Sequence, residues 1–170
     1  MRIQMESKKI KTEFINFVTM CHTMTVATSK NNVPWSAPVY YLYFDTNFYF
    51  LSNPNSRHIK EADILKIVAV SIYSIYSAWH EIKGVQMDGR ISIVEKYSDS
   101  ALIIKKYIEK FPSIKELPMG KIDFSLKNIA QNLIKNLTTN FNVKLYQFNP
   151  KTIFYLDNSV KFGFRERVFL

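Results

Sequence analysis

Phe48-Tyr49-Phe50-Leu51-Ser52-Asn53-Pro54-Asn55-Ser56-Arg57-His58-Ile59-Lys60 runs an apolar strand straight into the first turn of a helix and sets three ionisable bases in that turn. Free N–H groups give a helix N-terminus partial positive charge, so Arg57, His58 and Lys60 are unfavourable neighbours there unless something neutralises them. Two resolutions are open. An anion such as a phosphate sits among the bases, or the side chains turn outward and pair with Glu61 and Asp63.

The segments around this stretch are mostly strands. Met24 to Thr28 reads as a short strand, Lys30-Asn31-Asn32 as a turn, and Pro34 to Phe44 as a long strand that ends at Asp45-Thr46-Asn47 before Phe48 to Ser52 returns antiparallel. Proline cannot donate to a ladder, so Pro38 predicts an edge or a bulge in the long strand. Downstream come a helix over Arg57 to Leu65, a strand over Ile67 to Tyr73, an irregular span through Trp79-His80, and a strand over Gly84 to Glu95. Alternation in that last strand places the Gln86 amide opposite Val85 and Met87.

Helical spacing returns at Ile10, Phe14, Phe17, Val18 and Cys21 near the start of the chain. It returns again at Ala101, Ile104, Ile108 and Phe111, with Ser98 or Asp99 as cap, and at Leu126, Ile129, Ala130, Leu133 and Leu137. Three strand candidates close the chain: Val143 to Phe148, Thr152 to Leu156 and Val160 to Leu170, the last two joined at Asp157-Asn158. Six or seven antiparallel strands with a few helices favour a small closed or split barrel over a doubly wound sheet.

The 170 residues, 47% hydrophobic and 15% aromatic with only four glycines, predict one domain over 1–170 without a linker. No stretch reaches the roughly 18 apolar residues of a membrane span, and a cytoplasmic protein is expected. The single Cys21 excludes an internal disulfide and reads as a buried structural thiol. His22 and His80 lack Cys, Asp or Glu at metal-ligand spacing, so no metal site is assigned. A net charge of +9, from 23 basic and 14 acidic residues, attracts polyanions without choosing among nucleic acid, acidic lipid and a phosphorylated small molecule.

Val26-Ala27-Thr28, the strand from Pro34 to Leu42, Ser52-Asn53, Ser56-Arg57-His58, Trp79-His80 and the Gln86 strand with Gly89 together resemble the pyridoxamine 5'-phosphate oxidase-like superfamily of FMN-binding split barrels. Gly84-Val85-Gln86-Met87-Asp88-Gly89, Phe111-Pro112, Leu156-Asp157-Asn158 and Phe162-Gly163-Phe164 are most similar to its YhbP-like bacterial branch. The resemblance implies an antiparallel split β-barrel that holds FMN in clefts between the subunits of a homodimer.

By that resemblance Arg57 and His58 match an Arg-Lys pair on the phosphate, near Ser56, and Gln86 matches a glutamine on the flavin. Pro38, Val39 and Tyr40 match a strand lining the ring, and Leu51 and Ser52 match a further contacting pair. Two departures stand out. Ala37 and Leu42 occupy positions that are basic in the oxidase, and Phe164-Arg165-Glu166-Arg167 offers no clean match to its substrate-gripping arginine and histidine.

The expected function is a flavin-dependent oxidoreductase acting on an unidentified small molecule other than pyridoxamine 5'-phosphate. The alternatives are a non-catalytic barrel binding haem or another small anion, and a basic nucleic-acid-binding module. No residue stands out as a general acid or base.

Overall fold

A computed structural model describes residues 2–95, 97–116 and 129–170. Helix α1 (Arg2–Met20) leads into β1 (Thr23–Lys30), β2 (Val33–Tyr40), β3 (Leu42–Phe44) and β4 (Asn47–Ser52). Then come α2 (Arg57–Leu65), β5 (Val68–Tyr73), β6 (Lys83–Ile93), α3 (Tyr97–Lys110), α4 (Ile129–Phe141), β7 (Lys144–Asp157) and β8 (Arg165–Arg167). The strands form one antiparallel sheet in the order β2-β1-β5-β6-β7-β4-β3, with β8 added to β7. This sheet curls into the half-barrel of a split-barrel fold.

The expected long strand from Pro34 to Phe44 is two strands. Tyr41 separates them: its side chain is fully buried, its hydroxyl donates to the Val18 carbonyl at 2.7 Å, and its N–H donates to the His22 carbonyl at 3.0 Å. The chain thereby leaves β1 at Tyr40 and joins β4 at Leu42. Strand β2 pairs with β1 alone, so Pro34 and Pro38 occupy an edge, as Pro38 predicts. The flanking hairpins turn through Asn31-Asn32 and Asp45-Thr46, both pairs at positive φ, the conformation that suits the twist of the strands they join.

Near the C-terminus the two expected strands on either side of Pro150 are one, the 14-residue β7. A register shift between Asp88 and Gly89 absorbs Pro150, which faces Gly89. The expected final strand shrinks to the three residues of β8, because residues 158–163 turn: the Asp157 carboxylate accepts from the Ser159 N–H, and the Asn158 side chain accepts from the Gly163 N–H. Ser98 and Asp99 lie inside α3 rather than capping it. Leu126, the first residue of the last helical stripe, falls outside the described residues.

Two apolar clusters hold the fold. Phe14, Phe17 and Val18 of α1 fill the concave side of the sheet with Met24, Val26, Phe48, Phe50, Val70, Ile72, Val85 and Phe148. Ile103, Ile104, Tyr107 and Ile108 of α3 pack with Leu137 of α4 against Leu42, Tyr49 and Leu145. Among the described residues no helix is long and apolar enough to cross a membrane.

Candidate functional site

The start of α2 is a closed hydrogen-bonded corner. Asn53-Pro54-Asn55 turns the chain sharply out of β4: the Ser56 N–H and hydroxyl both donate to the Asn53 carbonyl, at 3.0 and 2.6 Å. His58 Nε2 lies 3.0 Å from the buried Ser52 Oγ and 3.4 Å from Ser56 Oγ. His58 is itself buried, and burial holds its imidazole below the ordinary histidine value. It is therefore a neutral hydrogen-bonding ring at neutral pH rather than a second cation.

Arg57 takes the outward-paired alternative in part. Its Nε donates to Glu61 at 2.7 Å, one turn along α2, and an Nη donates to the Val33 carbonyl of β2 at 3.3 Å. The guanidinium carbon lies 4.8 Å above the Trp35 ring. Glu61 is buried, and the Thr28 hydroxyl and then Arg57 hold its carboxylate below the ordinary range. A guanidinium has five N–H donors, and contacts with the described residues engage two of them, which leaves three for a ligand. Asp63 pairs with Lys66, not with the bases of the first turn.

The other expected site residues line up along β2. Pro38, Thr25, Ser71 and Gln86 form one row across β2, β1, β5 and β6, on the face opposite the core. Three strand spacings put Pro38 about 14 Å from Gln86 along the sheet. Pro38 and Gln86 are exposed, whereas Val39 turns inward against the Met24 cluster. Tyr40 and Leu51 meet elsewhere, in the lining of a cavity beneath α3 and α4.

The structure thus gathers Ser52, Ser56 and His58 into one corner, sets the Arg57 guanidinium on Glu61 and Trp35, places Tyr40 and Leu51 in the lining of one cavity, and leaves Pro38 and Gln86 on an open face. Ala37 and Leu42, which stand where the family resemblance implies basic residues, are buried in the core, where a charge would lack a partner. Sequence reading missed Thr28, Trp35 and Tyr107, whose contacts with Glu61, Arg57 and Tyr40 span long sequence separations.

The His58 environment predicts an acid-sensitive corner. The unfolded chain takes up a proton near the ordinary value of 6.5, while the folded imidazole resists it until lower pH. Protonation then favours the unfolded chain, so this contribution to stability is full above about pH 6.5 and declines as pH falls below it. Urea unfolding between about pH 7.5 and 5 should show that slope in the wild type and a shallower one in His58→Gln. Equal slopes would place the titration on another group.

The curled antiparallel sheet with helices on its flanks defines a split β-barrel. Residues 10–155 match the family model for pyridoxamine 5'-phosphate oxidase, and the chain belongs to that family. Within it the chain is similar to a UPF0306 protein of Cronobacter sakazakii, 33% identical over 93 residues, which are 54% of this chain and 64% of the relative. A FAD-binding protein from Mesorhizobium loti shares the fold at a TM-score of 0.59 and 16% identity, over 84% of this chain and 90% of that one. The haem storage protein HutZ of Vibrio cholerae shares it at 0.61 and 16%, over 85% and 93%.

Proposed function

We propose that this chain binds FMN and serves as a flavin-dependent oxidoreductase for a small molecule other than pyridoxamine 5'-phosphate. The observation that carries the reading is the corner at the start of α2. There the Arg57 guanidinium is fixed by Glu61 and Trp35, and the Ser52 and Ser56 hydroxyls meet at the first turn of the same nine-residue helix. Such a set suits a phosphate dianion, with the planar fork of Arg57 supplying the charge-assisted contacts. The edge strand from Pro38 to Tyr40 and the exposed Gln86 amide would line and orient the ring. Bound there, the flavin would supply the electron transfer, and the chain's residues would hold and shield it.

Family membership supports the flavin reading, as does the FAD-binding relative in fold. The haem storage protein among the same folds supports haem as the second reading. The nucleic-acid reading has the net charge alone behind it. One domain over 1–170, a homodimer sharing the cofactor clefts and a cytoplasmic setting complete the proposal. The dimer is supported by exposed apolar side chains such as Tyr40, Tyr73 and Trp79.

The test is the visible spectrum of purified protein followed by FMN titration. A flavin band with saturable binding supports the reading, and a Soret band with no flavin uptake would replace it with haem. Anaerobic mixing of FMN-loaded protein with pyridoxamine 5'-phosphate should leave the flavin oxidised. Bleaching at a catalytically useful rate would refute the exclusion of that substrate, which rests on the core positions of Ala37 and Leu42.

A further inference from the structure

The cavity beneath α3 and α4 is a half-open cleft of about 410 Å³, within the roughly 300–1,000 Å³ of small-molecule sites. Its walls include the rings of Tyr40, Tyr107, Phe111 and Phe141 and the side chains of Leu51 and Leu137. None of the described residues that line it is charged.

Its polar groups are already occupied or few. The Tyr107 hydroxyl donates to the Tyr40 carbonyl at 3.1 Å, and burial pushes that phenol up, so it stays neutral. Lys110 touches Phe111, with Nζ 5.6 Å from the ring centroid, but its ammonium donates to the Cys21 carbonyl at 2.6 Å and lies 4.6 Å over Tyr41. The Phe111 ring meets Tyr40 and Tyr107 at centroid distances of 5.3 and 4.9 Å, which makes one side of the cavity an aromatic wall.

A phosphate or carboxylate drawn in here would lose its hydration, with no donor set among the described lining residues to replace it. A flat neutral ring would gain burial and ring-edge contacts from the same wall. We infer that the cavity is a binding site for an uncharged, planar aromatic compound of about two fused rings. Tyr40 and Leu51 belong both to the cavity and to the proposed flavin strip, but the inference does not depend on the flavin reading.

Naphthol and naphthyl phosphate differ only in the phosphate, and calorimetric titration of flavin-free protein with each tests the assignment. Naphthol should bind saturably and at least about tenfold tighter than its phosphate ester. Ser113→Trp adds bulk at an exposed lining position and should weaken naphthol binding about tenfold. Phe111→Lys should narrow or reverse the preference, with circular dichroism confirming that both variants fold. Equal or tighter binding of naphthyl phosphate by the wild type would overturn the inference, as would naphthol binding that neither folded variant changes. FMN titration of the same samples reads the flavin site separately: absent FMN binding with intact naphthol selectivity sinks the flavin reading and leaves the cavity assignment standing.

Discussion

Gly89→Ala should lower the unfolding free energy by about 3–5 kcal/mol, the largest effect expected at any of the described glycines. A Cβ built on Gly89 would lie 2.2 Å from the Asn149 carbonyl oxygen, 2.8 Å from Phe148 Cε2 and 2.8 Å from Pro150 Cα. Two of those neighbours are backbone in the paired strand, at the point where the β6–β7 register shifts, so relief requires moving the strand itself. For a domain of this size each kcal/mol lowers the melting temperature by about 2–4 °C, which gives a drop on the order of 10 °C. Gly84→Ala is the matched control. Its Cβ would meet only the Ile72 carbonyl, at 3.2 Å, and a loss of about 1 kcal/mol or less is expected. Equal losses at the two glycines in urea titrations would show that general strand effects, not the close approach at the bulge, set the cost.

Arg57→Ala combined with His58→Ala should weaken FMN binding by about two to three decades. A charge-assisted contact contributes about 1.5–3 kcal/mol, and two such contacts from the Arg57 fork, near the low end because Glu61 already shares the guanidinium, correspond to that range. The structure divides the roles. Arg57 carries the charge, and neutral His58 holds the Ser52 and Ser56 hydroxyls in place. Arg57→Lys separates them further, because it keeps a cation near Glu61 while removing the two-pronged fork. Flavin fluorescence titration of variants with native circular dichroism decides the matter. A dissociation constant unchanged in the double variant would remove this corner as the phosphate site.

Local signals were legible in the sequence where one period dominates. The helix from Arg57 to Leu65, the Asn31-Asn32 turn and the alternation around Gln86 follow from spacing and turn chemistry alone. The break at Tyr41 was hidden because Tyr40-Tyr41-Leu42-Tyr43-Phe44 is apolar throughout and offers no change of period. What ends the strand there is a hydroxyl bond to Val18, 23 positions earlier. The two strands expected over Val143 to Phe148 and Thr152 to Leu156 are one for the opposite reason, since a bulge that sets Pro150 against a glycine lets the strand run on.

The site shows the same division. The Arg57–Glu61 pair at i,i+4 was visible as one of two alternatives. Neither the Thr28 bond that buries Glu61 nor the aromatic wall joining Tyr40 to Phe111 has a local signature. Those contacts come from the curl of the sheet.

Strands β2 and β3, at the two ends of the sheet order, are joined through Tyr41 alone. An open sheet ordinarily leaves both margins available for strand addition by another chain. Here one margin contains two prolines, with Arg57 and Tyr107 bonded to the carbonyls at its first and last residues, and the other is only three residues long. Strand-by-strand growth into fibrils or edge-paired dimers is therefore discouraged at both margins.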